Sequence, residues 1–386
     1  MRHLHGVLRA AFVGLGLLGL TANTALATAF VQTDLVSDIP GLAAITDPHL
    51  KNSWGVSSSA TGPFWVSDQV TSLATLYGVT AGSVSKIPFE VAIPTTASGP
   101  QGPTGQVNNS TSSFLVNGNS LTPATFIFAN LNGSISAWSS FAPNPPMAQV
   151  QVTTPGAVYT GLAIGSNASG PVLYAANGAQ NRIDVFNGSF APVNLGPNAF
   201  VTHDPRLTGL VPFNVQNIGG NIYVTYAPPG RAAQISAPEG MGAVAVFDTS
   251  GKVIQTLIAG SKLASPWGIA RAPASFGGFG GDLLVGNFSF AVSEINAFDP
   301  LTGAFVGTIT DKDGNPIINS GLWAITFGNG GNGGDPNTLF FAAGINGEAD
   351  GLFGSLDPVP EPSTLLLFGS GLAGLVATAR RRHRRN

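Results

Sequence analysis

No cysteine occurs in the 386 residues, and charge is scarce, with Asp, Glu, Lys and Arg together at 9%. The first absence excludes disulfides, thiol catalysis and Cys-ligated metals, so stability must come from a buried core, which a chain of this length can supply. The second excludes helices stabilised by ladders of opposite charges on their exposed faces. Histidine is nearly missing between the two ends of the chain: only His49 and His203 fall there, in widely separated loop-like stretches, each close to an acid and a proline. Neither forms a catalytic triad by spacing. Gly-x-Ser-x-Gly and His-Glu-x-x-His do not occur, and the glycine-rich stretches FGGFGG and GNGGNGG lack the Lys that a phosphate loop requires. Seven of the 16 Lys and Arg lie in the terminal segments, but only Glu361 of the 19 acids does, which leaves nine cations against eighteen anions over 28–357. That acidic balance argues against nucleic acid and anionic lipid headgroups as partners.

What remains is glycine, serine, threonine, asparagine and valine, the composition of a turn-rich extracellular all-β protein. Both ends support export. Arg2 and Arg9 precede an apolar run from Ala10 to Leu20, and Ala25-Leu26-Ala27 offers the small side chains that a signal peptidase admits. The expectation is a signal peptide over 1–27, cleaved after Ala27. At the other end Pro360, Glu361 and Pro362 lead into Ser363, a helix N-cap, and then an uncharged stretch over 364–379. As a helix this stretch would be about 25 Å long, the short end for a membrane span. The closing RRRHRRN would stop transfer, since each arginine costs roughly 3 kcal/mol at the bilayer centre.

This order of Pro-Glu-Pro, apolar helix and terminal arginines resembles the PEP-CTERM sorting tail of Gram-negative bacteria, and it covers about the last 28 residues. The resemblance implies recognition and processing by an exosortase near Pro360, Glu361 and Pro362, with transient anchoring in the membrane. Residues 358–386 are accordingly set apart as a sorting tail.

Between the ends a module recurs: an aromatic or Thr, usually with Gly beside it, then strands. It starts at Trp54-Gly55, Thr104-Gly105, Thr160-Gly161, Phe213-Asn214, Trp267-Gly268 and Trp323-Ala324, with spacings of 50, 56, 53, 54 and 56. Each start is followed by an apolar second strand (FWVSD, FIFAN, LYAAN, IYVTY, LLVGN, LFFAA) and by a third (ATLYG, SISAW, RIDVF, AVAVFD, EINAFD, GLFGSLD). Four short strands per module predict a six-bladed β-propeller over 28–357. The last module runs out of sequence after its third strand, and FVQTDLV at 30–36 precedes the first module as an unassigned strand. The two should pair and close the ring. LYAANGAQNRIDVFNG at 173–188 resembles an NHL repeat. The exported region, with NSWGV near its start and GLWAITFGNG near its end, is similar to a family of secreted bacterial propeller proteins of unestablished function. That resemblance implies the fold, and it hands over no catalytic residue.

Asp311, Asp313 and Asn315 in DKDGN start like a calcium loop, but Leu322 stands where the twelfth-position Glu belongs, so a self-capped turn is expected. Asp68, Asn130, Asn177 and Asn287 recur at the ends of second strands and are expected to cap turns. Trp54, Phe213, Trp267 and Trp323 should gather with them at one channel mouth, overhung by the 227–242 insertion as a lid. There they serve either as core wedges between blades or as the wall of a ligand site. No catalytic residue, metal ligand or resident cofactor is assigned. The expected function is that of a non-enzymatic, monomeric surface or matrix protein binding carbohydrate, such as an extracellular polysaccharide, or another surface component. The alternatives are a propeller hydrolase or lyase that uses calcium and a protein-interaction scaffold. Signal peptidase and exosortase are the expected processing partners.

Overall fold

A computed structural model describes residues 29–96, 99–116, 122–140 and 146–359. The signal peptide with Ala25 and Ala27, the triplet Pro360, Glu361 and Pro362, and the apolar stretch 364–379 lie outside the described residues. Among the described residues no helix is long and apolar enough to cross a membrane.

The repeats fold as six sheets arranged as a propeller, each starting on an inner strand that opens with the module-start residue. Blade one consists of Ser53–Ser58, Phe64–Asp68, Leu73–Thr80 and Ser83–Ala92. Blade two consists of Pro103–Asn108, Phe126–Asn130, Ser134–Trp138 and Gln149–Thr153. Blades four and five begin at Val211–Ile218 and Pro266–Arg271 and also have four strands. Second strands such as FIFAN are buried along their whole length, whereas the outermost strand of blade five, Phe305–Thr308, is largely exposed. Burial therefore falls from axis to rim, as expected when sheets pack face to face around a centre.

Closure follows the expected route. Phe30–Ser37 pairs antiparallel with Leu352–Pro358, the third strand of blade six, and Ile45–Thr46 adds a short parallel edge to it. Blade three departs from the four-strand expectation. It has Tyr159–Asn167, Gly170–Asn177 and Arg182–Asn187, after which only an isolated bridge joins Phe186 to Pro192. Pro192 and Pro197 remove the N–H groups that an outer strand would need.

Six hydrophobic clusters fill the spaces between neighbouring blades, for example Ile127 and Ile135 of blade two against Leu162 and Leu173 of blade three. The recurrent Gly after the module start has a geometric cause. A Cβ on Gly55 would lie 2.2 Å from the Thr104 carbonyl oxygen, one on Gly105 2.4 Å from the Leu162 nitrogen, and one on Gly268 2.5 Å from the Trp323 oxygen. At these three positions the inner strands of adjacent blades approach too closely for a side chain, whereas blades four and six accommodate Asn214 and Ala324. Polar side chains then stitch the ring: Thr104 Oγ1 donates to Tyr159 O (2.8 Å), Thr160 Oγ1 to Phe213 O (2.7 Å) and Asn214 Nδ2 to Trp267 O (2.8 Å). Gln106 Nε2 reaches back to Gly55 O at 2.8 Å. The bore narrows to a cavity of about 30 Å³ lined by Gly55, Gly105, Gln106, Asn214, Gln216 and Thr326, room for about one water.

Candidate functional site

Above that cavity sits a seventh cluster, distinct from the six between blades. Trp54, Phe213, Trp267 and Trp323 meet there, joined by Phe288. Trp54 stacks on Trp323 (centroids 3.5 Å, 16°), Phe288 stacks on the same indole (4.1 Å, 22°), and Trp267 meets it edge-on (5.8 Å, 85°). The rings come from blades one, four, five and six because the mouth-side end of every inner strand faces the axis. They pack on one another at the mouth, Trp54 of blade one and Trp267 of blade five each meeting Trp323 of blade six between them. All are at most 5% exposed.

The lid is present. The connection between Asn221–Ala227 and Ala243–Phe247 of blade four runs from 228 to 242 and carries a short helix, Arg231–Ile235. Arg231 points into the aromatic cluster, its Cζ 4.0 Å from the Phe288 centroid, 4.8 Å from Trp323 and 5.5 Å from Trp54. Its Nε donates to Glu348 Oε2 at 2.8 Å, and Nη2 pairs with Oε1 of the same carboxylate. Burial pulls the Arg231 guanidinium below its ordinary pKa and Glu348 works in the opposite direction. Glu348 also accepts from Asn52 Nδ2 (2.9 Å), and Asn52 Oδ1 accepts from Trp323 Nε1 (2.9 Å). Both connecting residues are left-handed without being glycine, Asn52 at φ 45° and Glu348 at φ 72°. Such conformations cost about 1–3 kcal/mol each and persist where the surroundings fix them.

The recurring Asx residues at this end are fully buried; Asn130 and Asn177 bond within their own turns as expected, whereas Asn287 reaches back to the loop before its blade and Asp68 to the next strand. Asn287 Oδ1 accepts from Ala264 N–H (2.9 Å) and its Nδ2 donates to Lys262 O (2.8 Å), while Asn177 Oδ1 caps the turn at Gln180. Asp68 is the exception in charge: burial pushes its carboxyl well above the usual range, with Thr75 Oγ1 donating to Oδ2 at 2.7 Å. Asp311 caps its own loop, accepting from the N–H groups of Asp313 and Asn315 at 2.9 Å each.

Sequence reasoning missed three groups. Phe288 directly follows a recurring Asn, a position that could have been inspected. Arg231 and Glu348 carry no periodic signal, although both fall in the longer connections at the mouth. Spacing gives His49 no catalytic partner, yet its Nδ1 lies 2.9 Å from Glu90, beside Asp47. Lys86 occupies the space a metal would need, its Nζ 2.8 Å from Glu90 and 2.9 Å from Asp47, and Tyr77 Oη donates to Asp47 at 2.6 Å. Burial opposes charge on Asp47, but the bonds from Tyr77, Lys86 and the His49 N–H outweigh it and hold the carboxyl below its usual range. This cluster is an internally satisfied ion network. His203 lies elsewhere, between blades three and four.

Residues 358–382 match the PEP-CTERM protein-sorting motif, which implies export, anchoring through the C-terminus and processing by an exosortase. Among solved structures the chain is similar to the PQQ-bound aldose sugar dehydrogenase of Streptomyces coelicolor, at 12% identity and a TM-score of 0.48, covering 86% of this chain and 100% of that one. It is 29% identical over 332 residues to uncharacterized protein L690 of Acanthamoeba polyphaga mimivirus, covering 83% of this chain and 84% of that one. With uncharacterized protein R648 of the same virus it shares 30% identity over 336 residues, 83% of this chain and 78% of the relative, and on that match the chain belongs to the R648 family.

Proposed function

We propose that this exported propeller is a surface or matrix protein that binds carbohydrate or another surface component at its aromatic channel mouth. The observation that carries the reading is the seventh cluster: four module-start aromatics from four blades converge on the axis beneath a lid that a helical turn, not a blade, provides. Rings flanked by the Asn52 amide and the Glu348 carboxylate offer the blend of apolar wall and few polar groups by which ligand sites orient what they hold. In this reading a signal peptide ending at Ala27 starts export, and exosortase acts near Pro360, Glu361 and Pro362 to transfer the propeller to the surface.

Retention of the purified protein on a glycan array and on polysaccharide from its host tests the binding role. The wild type should be retained, and Trp54→Ala should lose retention while still melting cooperatively. Equal retention of both proteins would move the site away from the mouth. Intact-mass measurement of surface-associated material tests the sorting role, since recovery of the complete RRRHRRN terminus there would leave only a plain tail anchor.

A further inference from the structure

The lid does not cover the aromatic cluster with an apolar side chain. It inserts a cation. The Arg231 guanidinium carbon lies 4.0 Å from the Phe288 centroid and within 5.5 Å of the stacked Trp323 and Trp54 rings, and Glu348 supplies the countercharge. Rings attract a cation through the negative potential of their faces, most strongly where water is excluded. The cage is therefore built for positive charge.

It fits a guanidinium poorly in one respect. Nη1 of Arg231 is buried and finds no hydrogen-bond partner among the described residues. A planar guanidinium carries five N–H donors, and a buried donor left unpaired is costly. A cation without any N–H would give up the two bonds to Glu348 but would keep the charge pairing with that carboxylate and leave no buried donor unpaired. A quaternary ammonium group is that cation.

The lid is also anchored unequally. Its far end is tied to blade five: Ser289 Oγ donates to Ala237 O at 2.6 Å and the Phe290 N–H donates to Ile235 O at 3.0 Å. Its near end begins at Gly230, at φ 83° with open space around the Cα and no side-chain cap, and the side-chain contact that holds this end to the mouth is Arg231 itself. Removing Arg231 from the cage would free that end while the Ile235 end stays attached.

We propose that the channel mouth is an organic-cation site, a cage of Trp54, Trp323 and Phe288 with Glu348 as countercharge, whose resident occupant Arg231 is displaced by a ligand bearing a quaternary ammonium group. The inference rests on the mouth being the ligand site and names the chemistry it takes. The closed lid then acts as a competitor in cis. Apparent affinity falls by the fraction of molecules with the lid open, so binding and lid opening are linked.

Choline chloride is the probe, with sodium chloride at equal ionic strength as the control, and tryptophan fluorescence follows occupancy. Arg231→Ala should bind choline saturably and at least about tenfold more tightly than the wild type. Trp54→Ala added to that variant should abolish the response. In the wild type, choline should raise trypsin cleavage after Arg231 several-fold, because the side chain leaves the cage. A cooperatively melting Arg231→Ala protein with no saturable choline response overturns the proposal. If that variant does not fold, unchanged cleavage of the wild type at high choline overturns it instead. Glycan retention that depends on Trp54, together with no response to choline, would keep the mouth as a ligand site and remove only the cation.

Discussion

Six of the hydrophobic clusters join neighbouring blades, and the seventh closes the mouth. The two kinds differ in what they tolerate. The cluster between blades two and three is aliphatic and aromatic throughout, and its one phenol, Tyr159, donates to Asp184 and accepts from the Thr154 hydroxyl at 2.8 Å each. The mouth holds a half-buried guanidinium, an indole N–H on Trp54 without a partner among the described residues, and two non-glycine residues in left-handed backbone. Packing alone would select against each of these. Left-handed non-glycine residues and buried polar atoms without a partner among the described residues also occur between blades, at Phe114, Phe190 and Phe200 and at Trp138 Nε1 and Tyr226 Oη, so what sets the mouth apart is the guanidinium held against its rings.

The largest effect should come from breaking an interface between blades. A chain beginning at Ser37 lacks the strand that pairs with Leu352–Pro358 and lacks Phe30, which packs on Phe276 and Phe279 between blades five and six. An open edge and an unfilled core should leave it aggregated without a cooperative transition. A cooperative melt with an unchanged midpoint would show that closure does not hold the ring.

A smaller effect should separate two indoles within the mouth itself. Trp267 Nε1 donates to Thr160 O at 2.8 Å across the axis, whereas Trp54 Nε1 has no partner among the described residues. Trp267→Phe should cost roughly 1–3 kcal/mol because it leaves a buried carbonyl unpaired, and Trp54→Phe should cost less than about 1 kcal/mol. Chemical denaturation of the two variants checks the order. Equal losses would mean that ring volume, and not the cross-axis bond, sets the cost.

The ring was legible in the sequence because its rules repeat. Inner-strand glycines mark close approach, the apolar second strands are continuous because both faces are buried, and the unpaired FVQTDLV had only one incomplete module to join. The contents of the mouth were legible only in part. Trp54, Phe213, Trp267 and Trp323 share a repeat position and so announced a common place, but Arg231 and Glu348 occur once each, 117 residues apart, and meet only because the loops of blades four and six lean over the same axis. His49 and Glu90 escaped notice for the same reason, being 41 residues apart and joined by tertiary geometry alone. Blade three was misread because a pattern established by its neighbours was extended across Pro192 and Pro197.

The smallest effect compares blade one with its sisters at a single atom. Asp68 ends the second strand where blades two, three and five have Asn130, Asn177 and Asn287, and all four are fully buried. Asn130 Nδ2 donates to Ser136 Oγ and Ser134 O at 3.3 Å each, whereas Asp68 has one bond from Thr75 Oγ1, and the Oδ1 of each is without a partner among the described residues. Burial therefore raises the folded-state pKa of Asp68 above its unfolded value. The sign follows from proton linkage: above pH ~4 the unfolded chain has released this proton while the folded one retains it, so stability falls as pH rises from the unfolded towards the folded pKa. An amide cannot ionise and can donate to Thr75 as Asn130 does to Ser136. Asp68→Asn should thus stabilise the protein at neutral pH, where the wild-type carboxyl holds its proton or its charge at a cost. The gain should shrink to nothing below pH ~4, where both states of the wild type are protonated. Melting curves of the two proteins across pH 3–8 read this directly, and a difference independent of pH would mean that Asp68 titrates alike in the folded and unfolded chain.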